Sequence, residues 1–73
     1  MENKKENFTR ISGNRTEKII TILKQLGNLV NTSYYDYTKD DIELIFSQIE
    51  RETAQTKNKL LNNLDKIDRE IEL

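Results

Sequence analysis

The absence of proline restricts the fold of this chain more than any other feature of the sequence. Proline and glycine are the strongest local breaks in helices and strands, yet the 73 residues include no proline and only two glycines, Gly13 and Gly27. Runs of β-branched residues in strict alternation, which predict strands, are missing from the sequence. The sequence therefore predicts an all-α protein.

The first predicted helix begins near Asn14. Asparagine is a favourable N-cap, and Glu17 lies three residues later, where its carboxylate can complete a capping box. Apolar residues then recur four, three and four residues apart, which places them on one side of a helix; they are Ile19, Leu23, Leu26 and Val30. We therefore expect helix 1 at about 14–30.

Gly27 leaves two endings open for helix 1. It either lies just beyond the last turn, where glycine is common, or lies inside the helix, where it lets another backbone approach at a cost of about 1 kcal/mol in helix propensity. Because Leu29 and Val30 continue the apolar spacing, we favour a helix that passes through Gly27.

The second predicted helix has the clearest start in the chain. Thr38 is an N-cap that Asp41 can answer in a capping box, and Tyr37 and Ile42 occupy the positions of a hydrophobic staple. An apolar face follows with an average spacing of about 3.6 residues, the period of a straight helix; its members are Ile42, Phe46, Ile49, Thr53, Thr56, Leu60, Leu64, Ile67 and Ile71. This pattern predicts helix 2 at about 39–70.

These lengths predict an antiparallel helical hairpin over residues 14–73, with a short first and a long second helix. At 1.5 Å per residue, helix 1 would extend about 25 Å and helix 2 about 48 Å. Helix 1 would cover only the N-terminal half of helix 2 and leave an apolar stretch without a partner in the chain. That stretch is Leu60, Leu64, Ile67 and Ile71. We predict that it is a protein interface that completes the fold by oligomerisation, most simply as a homodimer.

Residues 1–13 are predicted to form a mobile N-terminal arm. The segment is polar apart from Met1, Phe8 and Ile11, and it precedes the first capping signal of helix 1. Deleting residues 1–12 is therefore expected to leave the melting temperature nearly unchanged.

The composition argues against catalysis. The chain has no cysteine and no histidine, so nucleophiles, bases and metal ligands of these two types are excluded. Asp40, Asp41 and Glu43 lie where carboxylates stabilise the positive end of a helix dipole, which accounts for this acidic cluster. We predict no enzymatic activity, no cofactor, no metal site and no small-molecule ligand.

Three tyrosines lie between the predicted helices, and two of them are candidate interface residues. Tyrosine is enriched in protein interfaces, which favours protein contact by Tyr34 and Tyr35. The alternative is structural: Tyr37 belongs to the staple, and Tyr34 or Tyr35 closes the end of a small core.

A second candidate function is binding to nucleic acid. The first 31 residues carry six basic and three acidic residues, and the bases that could contact phosphates are Lys4, Lys5, Arg10, Arg15 and Lys18. Two features argue against this function: the isoelectric point is about 5.4, and the chain has no recognisable helix-turn-helix.

Several short segments within residues 14–60 carry a resemblance to known proteins. They are residues 14–20 (NRTEKII), 26–29 (LGNL) and 35–41 (YDYTKDD), together with Phe46 and Ile49. These segments resemble small proteins of plasmids, phages and conjugative elements of Gram-positive bacteria. That group is mostly uncharacterised, so the resemblance implies a mobile-element origin but no mechanism and no site residues.

Taken together, these patterns predict a non-catalytic interaction protein, an accessory or regulatory subunit that acts by protein–protein contact. No stretch approaches the roughly 20 apolar residues of a membrane span, and Met1 is not followed by a signal-peptide pattern. We therefore expect a cytoplasmic protein that does not contact membranes.

Overall fold

Two α-helices contain most of the described chain. The computed structural model describes the backbone of residues 3–71 and the side chains of residues 3–67. Helix α1 is Lys4–Gly27 and helix α2 is Lys39–Ile71, and one turn of 3-10 helix, Asn28–Val30, follows α1. No strand occurs in residues 3–71. The all-α prediction is confirmed.

The chain divides into two compact units. The first, Met1–Asp36, contains α1, the 3-10 turn and most of the tyrosine-bearing segment; the second, Tyr37–Leu73, contains α2 and its cap. Each unit is therefore built around one helix.

Helix α1 begins at Lys4, well before the predicted start at Asn14. Asn3 is the N-cap: its backbone is extended, and its side-chain Oδ1 accepts a hydrogen bond of 2.7 Å from the backbone N–H of Glu6. Glu6 lies in the first turn, where a negative charge stabilises the helix dipole. The prediction of an arm separate from helix 1 is therefore wrong for residues 4–13, whereas residues 1 and 2 lie outside the described chain.

Two equivalent start signals explain this error. Asn3 and Glu6 have the same spacing as Asn14 and Glu17. A helix that has started at Asn3 meets no proline, and Gly13 within it costs only about 1 kcal/mol relative to alanine. Asn14 and Glu17 are consequently interior residues of α1. With 24 residues, α1 extends about 36 Å at 1.5 Å per residue, appreciably more than the predicted length.

The α-helix ends at Gly27, and the tighter 3-10 geometry continues to Val30. The prediction that the helix runs on to about Val30 therefore holds for the helical backbone, although the α-helical geometry ends at Gly27. Gly27 has φ of −63° and ψ of −23°, so it does not adopt the left-handed conformation that often follows a last turn. A Cβ added at Gly27 would meet no described atom within 4 Å, so within the described chain no backbone approaches it closely.

Helix α2 begins as predicted. The backbone N–H of Asp41 donates to Thr38 Oγ1 at 3.1 Å, and Asp41 Oδ2 accepts from the backbone N–H of Thr38 at 2.8 Å. These reciprocal bonds are the capping box expected from the sequence. The observed bounds, Lys39–Ile71, confirm the predicted helix 2.

The apolar residues of both helices remain accessible to solvent. None of the side chains described in residues 3–67 is buried, and four are partly buried: Ile11, Ser12, Leu26 and Ile49. Both helices are nevertheless amphipathic, so each one presents an apolar face that a partner can cover.

Candidate protein-interaction surfaces

Most of the large apolar residues of α1 form one broad surface, which we call the α1 face. At about 100° per residue, six of them fall within an arc of about 120° around the helix axis, whereas Ile20 lies about 60° outside it; the six are Phe8, Ile11, Ile19, Ile22, Leu23 and Leu26. Ser12 and Arg15 lie within the same arc and divide the face into two apolar parts. Phe8 and Ile11 lie in the segment that was predicted to be an arm, so two of the six residues of this face were not predicted from the sequence.

The N-terminal part of the α1 face includes an aromatic side chain near a cation. The Phe8 ring is 56% exposed, and Lys5 Nζ lies 5.7 Å from the ring centroid. This separation is within the range of a cation–π interaction, worth about 0.5–1 kcal/mol at an exposed site. The spacing of Phe8 and Ile11 from Ile19 fits the helical period. This spacing is the sequence signal from which both residues could have been assigned to the helix.

Helix α2 carries a similarly interrupted surface, which we call the α2 face. Its first apolar cluster is Ile42, Ile45, Phe46 and Ile49, and its second is Leu60, Leu64 and Ile67. Thr53 and Thr56 separate the two clusters on the same side of the helix. Thr53 Oγ1 donates a hydrogen bond of 2.7 Å to the carbonyl of Ile49, so this hydroxyl is satisfied within its own helix.

The predicted interface residues of α2 lie on the second cluster. Leu60 is 58% exposed, Leu64 57% and Ile67 42%, so three predicted residues form one accessible apolar surface. The fourth, Ile71, ends α2, but its side chain lies outside the described residues.

The two predicted tyrosines lie on a turn organised by Asn31. The Asn31 carbonyl accepts hydrogen bonds from the backbone N–H groups of Tyr34 (3.2 Å) and Tyr35 (3.1 Å). Asn31 Oδ1 also accepts from the backbone N–H of Ser33 at 2.9 Å. Tyr34 is 81% exposed and Tyr35 47%, so both rings are accessible for contact. The role of Asn31 was not predicted, although asparagine is typical of such turns.

The predicted phosphate-binding bases all belong to α1, but they do not form one strip. Lys4, Arg15 and Lys18 fall within an arc of about 60°, whereas Lys5 and Arg10 point well away from it at about 100° per residue. Arg10 also donates a hydrogen bond of 2.9 Å to Asn7 Oδ1. The arc of the first three overlaps the α1 face, so these bases border an apolar surface.

A shallow hollow on α1 is lined by Asn14, Glu17, Lys18, Thr21 and Ile22. All of these residues belong to one helix, and all are exposed. The hollow is therefore a groove between neighbouring side chains that water can enter.

No family model, curated protein or solved structure matches this chain. Any assignment of function must therefore depend on the faces and charges described above. Neither helix, over the described residues, combines the length and the apolar character needed to cross a membrane.

Proposed function

We propose that this protein is a non-catalytic interaction module that acts by protein–protein contact and pairs with a second copy of itself. The supporting observation is that two amphipathic helices present apolar faces on which no described residue is buried. Covering such a face contributes about 1.5–3 kcal/mol for each large apolar side chain. Clusters of exposed large apolar side chains of this kind usually mark a binding site.

The spacing of the two faces favours an antiparallel hairpin as the unit that associates. Counted from Leu26 toward the N-terminus, successive positions on the α1 face lie four, three, four, three and four residues apart. Counted from Ile42 toward the C-terminus, successive positions on the α2 face have the same spacing. The resulting pairs are Leu26–Ile42, Ile22–Phe46, Ile19–Ile49, Arg15–Thr53, Ser12–Thr56 and Phe8–Leu60. Polar residues thus pair with polar residues, and apolar with apolar.

This register also explains why a second copy is needed. Lys4, the first residue of α1, would lie opposite Leu64. Ile67 extends beyond it, so part of the second α2 cluster has no partner among the described residues of α1. In a two-helix hairpin, part of each apolar face also stays exposed to solvent. A second hairpin can cover this exposed part in a two-fold assembly.

The test is a double substitution in the second α2 cluster. Leu64→Lys with Ile67→Lys places two charges on the proposed interface, and we expect the dimer to become a monomer in sedimentation equilibrium. Asn58→Lys with Asn62→Lys is the matched control, because it adds the same charge on the opposite side of α2. A control that remains dimeric beside a monomeric double mutant supports the proposal. A wild-type chain that is monomeric at high micromolar concentration contradicts self-association.

We further propose that self-association serves an accessory or regulatory role, in which the assembled module binds another protein. The exposed Tyr34 and Tyr35 rings support a surface for that contact, since tyrosine supplies large, stiff contact area in protein interfaces. Tyr34→Ser with Tyr35→Ser is expected to weaken binding to such a partner while leaving sedimentation of the dimer unchanged.

A further inference from the structure

We propose that the second copy places its α2 against the side of α1 that the chain's own α2 leaves open, so that two hairpins form a four-helix bundle in which α1 and α2 alternate. This inference rests on the proposed self-association and specifies which helices meet. Every neighbouring pair in the bundle is then one α1 and one α2, antiparallel to each other.

The width of the α1 face requires more than one neighbouring helix. A seam that contacts a single helix is narrow, whereas an apolar arc of about 100° or more is typical of a helix that faces a core. The α1 face spans about 120° and the α2 face about 100°, at about 100° per residue. One partner helix would cover the centre of each face and leave a flank exposed, such as Ile11 or Leu23 on α1.

The net charges of the two helices favour one type of helix as the cover for the exposed flank of each face. Helix α1 has six basic and two acidic residues, whereas α2 has six basic and eight acidic residues. Placing α1 beside a second α1 brings two positively charged helices together, and placing α2 beside a second α2 brings two negatively charged helices together. Alternation avoids both contacts, and electrostatic complementarity of this kind selects partners and orientation in helical assemblies.

The flanking positions also match in this arrangement. In the antiparallel register of the two faces, Lys18 of α1 lies opposite Glu52 of α2 on one flank, and Thr16 lies opposite Glu50 on the other. The first of these is a pair of opposite charges. One flank of each α1 contacts the chain's own α2, and the other contacts the α2 of the second copy.

The main rival is direct pairing of α2 with a second α2. The spacing of the α2 face is nearly symmetric about residues 56 and 57, since Ile42 and Ile71, Phe46 and Ile67, and Ile49 and Leu64 are equidistant from that point. An antiparallel α2 pair would therefore bury apolar residues at both ends. It would also bring the acidic first turn of one helix, with Asp40 and Asp41, beside the acid-rich end of the other.

Cross-linking between chains that carry one cysteine each distinguishes the two arrangements. The chain has no native cysteine, so each variant has a single thiol. In one mixture, the Lys18→Cys variant is combined with the Glu52→Cys variant; in a second mixture, Thr16→Cys is combined with Glu50→Cys. A short bismaleimide is then added, because it joins neighbouring thiols that are too far apart to form a disulfide. Lys57→Cys alone probes contact between two copies of α2. Sedimentation equilibrium is measured for every variant.

We expect one of the two mixtures, and not the other, to give a covalent heterodimer, and we expect Lys57→Cys alone to give no cross-linked product. Cross-linking in both mixtures, or in neither while the chain is dimeric, would overturn the alternating bundle but leave self-association intact. Cross-linking of Lys57→Cys with itself would favour the rival α2 pair. A monomer in sedimentation would overturn self-association and the bundle together.

Discussion

At the scale of single residues, two caps define where the helices begin. The Thr38–Asp41 capping box is bonded in both directions, so Thr38→Ala removes an acceptor for an otherwise unpaired N–H group of the first turn. We expect a loss of about 1 kcal/mol in the free energy of unfolding, measured by chemical denaturation followed by circular dichroism. Gln48→Ala, an exposed substitution inside the same helix, is the control and should not be destabilising. An unchanged midpoint for Thr38→Ala would show that the cap contributes nothing.

The first helix offers a sharper comparison at the same scale. Asn3 caps α1, whereas Asn14 lies inside it, so the same substitution should act differently at the two positions. We expect Asn3→Ala to lower the free energy of unfolding by about 1 kcal/mol. Asn14→Ala should be neutral or stabilising, because alanine has the higher helix propensity. The opposite order of the two midpoints would support a helix that starts at Asn14.

At the scale of elements, the extended start of α1 reverses the expectation for the N-terminal segment. Residues 4–12 are helical, and Phe8 and Ile11 belong to the α1 face, so deleting residues 1–12 removes part of the surface that the proposed hairpin covers. We now expect the melting temperature to fall by several degrees, with a loss of helical signal in circular dichroism. Phe8→Ala tests the apolar contribution alone, and Asn7→Ala is its control outside the face. A deletion that melts with the wild type would show that this part of α1 is dispensable.

At the scale of the whole molecule, the charges of α1 separate the two functions that the sequence leaves open. Phosphate-dominated binding falls steeply with salt, and changing Lys4, Lys5, Arg10 and Arg15 to Ser would abolish it. The proposed function predicts no such binding, since the bases are spread around α1 and acidic residues outnumber basic ones in α2. Fluorescence anisotropy with labelled duplex DNA and single-stranded RNA at two salt concentrations provides the measurement. Micromolar, salt-sensitive binding that the four substitutions remove would favour the nucleic-acid function.

The sequence was sufficient to predict the helical class, the start of α2 and its apolar spacing, but it placed only the part of the α1 face from Ile19 onward. Proline is absent, and the signals that cap α2 and set its face lie within a few residues of one another, so local chemistry is sufficient. The start of α1 needed the structure, because Asn3 with Glu6 and Asn14 with Glu17 are equivalent local signals. Which one prevails depends on whether helix propagates through Gly13. The structure was also needed to find the Asn31 turn and the end of α-helical geometry at Gly27. In this segment several weak backbone preferences compete, and no single residue type fixes the conformation.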